Sequence, residues 1–477
     1  MTRQATRTMF WIAACTLLTV NLCAAATDLR PSYEMDLAID WESGTYDGTL
    51  IVLAPNPSSH TYDALTFRLF PNAVATYRGA SLEVDGAAQA GVSLTVSLDD
   101  SDPTVLTVAL LEPLQPSQTT SVTLRFHGTA GPSTATSPSG TAGYGILTKN
   151  DNSLVLTAFY PLLAPLGEDG AIVSPDCGFG DTLWSEASDY SVRVTAGRDL
   201  DVASTGHLVC TTSDEGAALH LLEADGARDF ALVLTRGLSE VRLQSGGRVL
   251  DAWFTPEHTD AAVRAISIAE ATQRLYAKRI GPLPYAEIDL VEVPLDRAAG
   301  VEFSGLILLS SSYCAHPGST FFDILVSHET VHQWFYSVVG SDPAAAPWVD
   351  EGLATYLSYV YLEEYAAPPA AASYRTDWIR EYSAARLDYP MLSIATASCA
   401  FPTAEAYRVF VYAGAALFWD EVRSALGDAA FFSLLQTYYE SYAGSIASSD
   451  NLVDLLLQLE NPDILTAMAE YGVGRQP

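Results

Sequence analysis

Lysine is nearly missing from this 477-residue chain, in which Lys149 and Lys278 are the only two. With 24 Lys+Arg against 57 Asp+Glu, the formal net charge is −33. A chain so poor in positive charge has no basic track for phosphates, and no nucleic-acid partner is expected. Cysteine is scarce at 6 residues, and no C-x-x-C pair occurs, so no cysteine-built metal site is expected. Past residue 20 no apolar run reaches the roughly 18 residues of a membrane helix, so the mature chain is expected to have no transmembrane segment. What is abundant is apolar material, 49% of residues with 10% aromatic, enough to fill more than one core.

The first 26 residues read as an export signal. Arg3 and Arg7 precede the apolar run from Met9 to Val20, and Ala24, Ala25 and Ala26 supply small residues for cleavage. A periplasmic or secreted destination is expected. Lipoprotein anchoring at Cys15 ranks second, because little apolar chain precedes it. Removing this leader leaves Cys177, Cys210, Cys314 and Cys399. In an oxidising destination a Cys177–Cys210 disulfide is expected, since both fall in one β-rich region, with four buried thiols as the open alternative.

The remainder divides by hydrophobic period. From Tyr33 to about Leu243, short alternating runs such as YEMDLAID, LTFRLF and SVTLRFHG alternate with turn clusters such as PNPSS and LEADGARD. This pattern predicts an all-β domain over 27–243, an antiparallel saddle or sandwich. The Gly/Ser/Thr/Pro stretch 129–143 reads as a loop. Beyond Gly246 the period moves towards 3.6, with a long helix ending at Gly281-Pro282 and strands at EIDLVEVP and VEFSGLILLSS. Helices are predicted over 321–340, 349–365, 374–386, 404–425, 428–443 and 448–459. The second domain, 244–477, is thus α+β with an all-helical end.

One motif carries chemistry. In SHETVHQWF, His328 and His332 stand four apart on one helical face, where two imidazoles share one tetrahedral zinc. Glu329 lies about 100° round the helix from the first ligand, so it points past the metal towards a reacting water as general base. The turn GSDPAAAP lets a second helix fold back and bring Glu351, nineteen residues after His332, as third ligand. One Zn²⁺ per chain is expected.

H-E-x-x-H, eighteen further residues and Glu resemble the gluzincin aminopeptidases, the membrane alanyl aminopeptidase family that includes leukotriene-hydrolysing enzymes. Gln333-Trp334-Phe335 and the segment from Trp348 to Gly352 fit this likeness, as do YDALTFRLFPNA and YPLLAP upstream. The resemblance implies a β saddle followed by a thermolysin-like α+β zinc-peptidase domain, in a short two-domain form with an open cleft. It further implies that Glu302 reads the substrate's free N-terminus from a G-x-M-E-N-like segment. Here that segment is Ala299-Gly300-Val301-Glu302-Phe303, with Gly300 and Glu302 at the substrate and Phe303 where the family has Asn. An oxyanion-binding tyrosine is implied at Tyr412, with Tyr407 the competing choice.

The expected function is an exported zinc metallopeptidase that removes N-terminal residues from peptides. Two alternatives stay open at this point: an endopeptidase or other hydrolase on the same site, and a non-catalytic envelope binding protein on this scaffold.

Overall fold

In Ser32–Asp40, buried Tyr33, Met35 and Leu37 alternate with exposed Glu34, Asp36 and Ala38. Such a strand rests one face on a core and turns the other to water. The computed structural model describes residues 30–475, apart from 133–143 and the single positions 169, 182, 215 and 367. The expected leader, 1–26, and most of the 129–143 stretch lie outside the described residues.

Strands of this kind form an eight-stranded sheet in the order 207–213, 217–227, 188–197, 32–40, 45–55, 119–129, 81–89 and 92–94. It departs from a wholly antiparallel saddle at one pair, because Ser32–Asp40 runs parallel to Ser188–Gly197. A four-stranded and a five-stranded sheet pack on it, over a core that includes Leu50, Val52, Phe67, Leu124, Val192 and Val233.

A second five-stranded sheet follows, in the order 239–245, 248–254, 287–293, 306–310 and 300–303. Ser239–Ser245 straddles the expected boundary at 243/244 and pairs with Arg248–Phe254, so it starts this sheet. Helix Thr259–Arg279 makes the crossover between the parallel strands 248–254 and 287–293. Leu250, Ala252, Ile288 and Leu290 face the helices, whereas Val291, Val293, Leu306 and Leu308 face the β core. Burial on both faces explains the nearly continuous apolar runs of these strands.

The helix expected over 349–365 passes into a π-helical turn at Leu362–Ala366, and the one expected over 374–386 runs over Pro368–Asp388. The helix expected over 321–340 stops at Val331. Gln333 pulls the chain off the helical path by accepting from Gly305 N at 2.9 Å and donating to Phe303 O at 3.0 Å. Buried Arg228 then donates to the carbonyls of Tyr336 and Val338 beyond it. The helix expected over 404–425 is split by a π-helical turn at Val409–Gly414. A final helix, Pro462–Tyr471, is capped by Asn461 and was not anticipated.

The expected Cys177–Cys210 disulfide is also overturned. Cys177 pairs with Cys399, at a Cα–Cα distance of 5.0 Å, while Cys210 is exposed and Cys314 buried as free thiols. Cys210 sits on the outer strand of the eight-stranded sheet. The segment carrying Cys177 instead reaches the helical part of the chain. A shared region is not proximity, and a disulfide needs proximity.

Candidate metal centre and substrate cleft

Ser319 opens the first motif helix, Thr320–Val331, by accepting from Phe322 N. The four-residue spacing then sets His328 and His332 on one face at its end. The second helix, Asp350–Tyr361, is buried along its whole length. Gly352 permits that burial, since a Cβ there would lie 2.6 Å from Ala415 Cβ on the neighbouring helix.

These two helices bring three donors to one point. His328 Nε2 lies 3.1 Å from both Glu351 Oε2 and His332 Nε2, and His332 Nε2 lies 3.5 Å from Glu351 Oε2. A tetrahedral zinc with bonds of about 2.0–2.1 Å separates its ligands by about 3.4 Å, so two imidazoles and a carboxylate at this spacing fit Zn²⁺. His332 Nδ1 lies 3.0 Å from the Phe335 carbonyl oxygen, which places its proton there and leaves Nε2 as the lone-pair donor. Asp350 accepts from Glu351 N at 2.8 Å and from the Ser341 hydroxyl at 3.0 Å, which steadies the start of the second helix.

Glu329 is buried, and its Oε2 has no hydrogen-bond partner among the described residues. Burial pushes its carboxyl up to about 8, against the pull of the neighbouring His332. A cation among the ligands acts in the same direction as His332. Gly300 sits close by on the strand Gly300–Phe303, where a Cβ would come within 2.5 Å of Glu329 Oε1. Glu302 follows on the same strand, buried, with Oε1 3.9 Å from His332 Nδ1. Burial holds its carboxyl well above the usual range, opposed by His332.

The π-helical turn at 409–414 gives the two tyrosines different surroundings. It points the Tyr412 hydroxyl at Glu351 Oε1 and stacks its ring on His328 at 6.0 Å. Such turns recur at functional sites because they re-aim one residue within a helix. Tyr407 instead packs on Phe179, its hydroxyl buried without a partner among the described residues.

The named residues His328, Glu329, Glu351, Gly300, Glu302 and Tyr412 line one cleft of about 750 Å³, with His332 behind them. Its far wall comes from the β-rich part, through Tyr144, Phe179 and Asp181. The sequence reading missed this wall. No spacing marks it, and the Cys177–Cys399 link beside it is legible only in three dimensions.

Residues 265–471 match the peptidase family M1 domain. Among curated proteins, rice aminopeptidase M1-C (Oryza sativa subsp. japonica) is 26% identical over 203 residues, 40% of this chain and 23% of its own length. Aminopeptidase M1 of Arabidopsis thaliana is 24% identical over 130 residues, 22% of this chain and 15% of its own. The chain thus spans about a quarter or less of the length of these relatives. Among solved structures, the M1 zinc metallopeptidase of Deinococcus radiodurans is 19% identical with a TM-score of 0.65, covering 94% of this chain and 96% of its own. A mutant of that enzyme bound to Tyr-Ser-Ala aligns with a TM-score of 0.64 at 18% identity, over 94% and 95% of the two chains. Residues 265–471 are thus similar to the peptidase family M1 domain, and with the β sheets before them the chain has the fold of the two-domain M1 zinc metallopeptidases.

Proposed function

We propose that this chain is an exported zinc aminopeptidase, with His328, His332 and Glu351 as metal ligands. Zn²⁺ held by these donors supplies Lewis acidity at the scissile carbonyl and at the attacking water. Glu302 binds the substrate ammonium, since a carboxylate in a desolvated cleft attracts a cation strongly. That contact sets the first peptide bond beside Glu329. The unpartnered Oε2 of Glu329 takes a proton from the attacking water and passes it to the leaving amine. The Tyr412 hydroxyl donates to the carbonyl oxygen as negative charge develops there. The Cys177–Cys399 disulfide supports an oxidising destination.

One observation carries the exopeptidase reading: the buried Glu302 carboxylate stands beside Glu329 and the metal ligands in one cleft. The test is kcat/KM for a free peptide relative to its N-acetyl form, in wild type and Glu302→Gln. A large ratio that collapses in the variant supports the ammonium contact. A ratio near one, unchanged by the substitution, assigns an endopeptidase instead.

A further inference from the structure

Two arginines line the cleft, and they differ in what holds them. Arg408 is already paired, with Nη2 2.7 Å from Glu405 Oε1 and 3.0 Å from Glu381 Oε2. Arg297 is exposed, and among the described residues no carboxylate pairs with it. Its guanidinium lies over the Tyr144 ring at 5.3 Å, and the Tyr144 hydroxyl accepts from Gly180 N at 3.1 Å. The backbone beside it is held too, since Asp296 N donates to Tyr144 O at 3.2 Å. Stacking on a ring fixes a guanidinium and leaves its N–H edges for another partner.

The place of Arg297 along the chain fixes what that partner is. Strand Gly300–Phe303 is the last of its sheet, so one of its edges has no strand beside it. Val301 pairs with Leu308, and Ser310 N donates to Ala299 O at 2.9 Å. The backbone groups of Gly300 and Glu302 therefore point to the free edge. A peptide laid along it meets Glu302, then Gly300 with Glu329 beside it, then Arg297. With the ammonium at Glu302 and the first peptide bond at Glu329, the rest of the substrate runs towards Arg297. Arg297 is three residues before Gly300, at most about 10 Å along the chain. One or two substrate residues past the scissile bond, with the length of the arginine side chain, cover that distance.

We propose that Arg297 binds the C-terminal carboxylate of a short peptide and so gives the cleft a preference for di- and tripeptides. The proposal rests on the aminopeptidase reading of the same cleft. A guanidinium meets a carboxylate through two parallel N–H···O bonds, which orient it as well as attract it. A cleft of about 750 Å³ suits a ligand of this size. The net charge of −33 repels a carboxylate at long range, so a preference for one has to come from a local cation.

The test uses the full, zinc-loaded chain and one tripeptide in two forms, the free acid and the C-terminal amide. Binding is measured by calorimetry in Glu329→Gln, and kcat/KM in the active protein, each with and without Arg297→Gln. The expected result is a preference for the free acid of about tenfold, seen in Kd and KM and not in kcat. Arg297→Gln, at an exposed position that threatens folding little, brings the acid-to-amide ratio to one or below. Arg297→Lys keeps part of the preference, because it retains the charge and loses the fork. A much longer peptide, whose carboxylate lies past Arg297, shows no acid preference. A ratio near one for the tripeptide in wild type, or a preference unchanged in Arg297→Gln, overturns the proposal. An aminoacyl-anilide, which has no carboxylate, tests the underlying reading separately: if wild type does not cleave it, the aminopeptidase reading fails, while the two binding constants still decide the role of Arg297.

Discussion

The Cβ that Gly300 lacks would stand 2.5 Å from Glu329 Oε1. Glycine is required at this position for room and not for backbone angle, because the strand there is extended. Gly300→Ala is expected to displace the Glu329 carboxylate while leaving the three metal ligands in place. A shift of about 1 Å in a reacting group costs about 10²-fold in rate. Steady-state kinetics together with metal analysis check this: kcat falls and zinc content does not.

Glu329→Gln preserves shape and removes the base. Because the proposed metal donors are His328, His332 and Glu351, the variant is expected to keep about one zinc per chain and lose about 10²–10⁴-fold in kcat. Wild-type activity is expected to vanish on chelation and return with added zinc. Retained turnover in Glu329→Gln would reject the assigned base.

The Cys177–Cys399 bond is expected as a linked peptide pair in unreduced digests, with Cys210 and Cys314 alkylated once the protein is unfolded. Breaking it by Cys399→Ser is expected to cost about 2–4 kcal/mol in denaturant unfolding. Such a variant also loosens the cleft wall at Phe179 and Asp181, so KM should rise.

Burial pushes the Asp229 carboxyl up to about 6, against hydrogen bonds from Tyr336 and Ser304 and the charge of Arg228. The folded chain therefore holds this proton more tightly than the unfolded chain, whose carboxyl keeps the ordinary value of 3.8. The group's contribution to stability is complete below about 3.8 and is lost as pH rises through about 6. Between pH 7.5 and 5 it is worth on the order of 1 kcal/mol. Denaturant unfolding at both pH values checks this, and Asp229→Asn should show a correspondingly smaller gain on acidification.

The chemistry was the most legible part of the chain. His328, Glu329, His332 and Glu351 lie on two neighbouring helices, and helical spacing alone fixes which faces they share. The division into a β-rich and a helical part was legible too, because periods of two and 3.6 are local properties. Helix ends were less so. Gln333 turns the chain at Val331 through bonds to Phe303 and Gly305, partners that no local pattern announces.

By itself, then, the sequence determined the grouping of His328, Glu329 and His332 with Glu351 on the next helix, the change of period and the excess of acid, all of which follow from neighbours along the chain. Only the tertiary structure decided that Cys177 meets Cys399, that Tyr412 rather than Tyr407 faces Glu351, and that Asp181 walls the cleft. Each of these depends on residues far apart in sequence, brought together by sheet register and by packing between the two parts, and spacing along the chain carries no record of either.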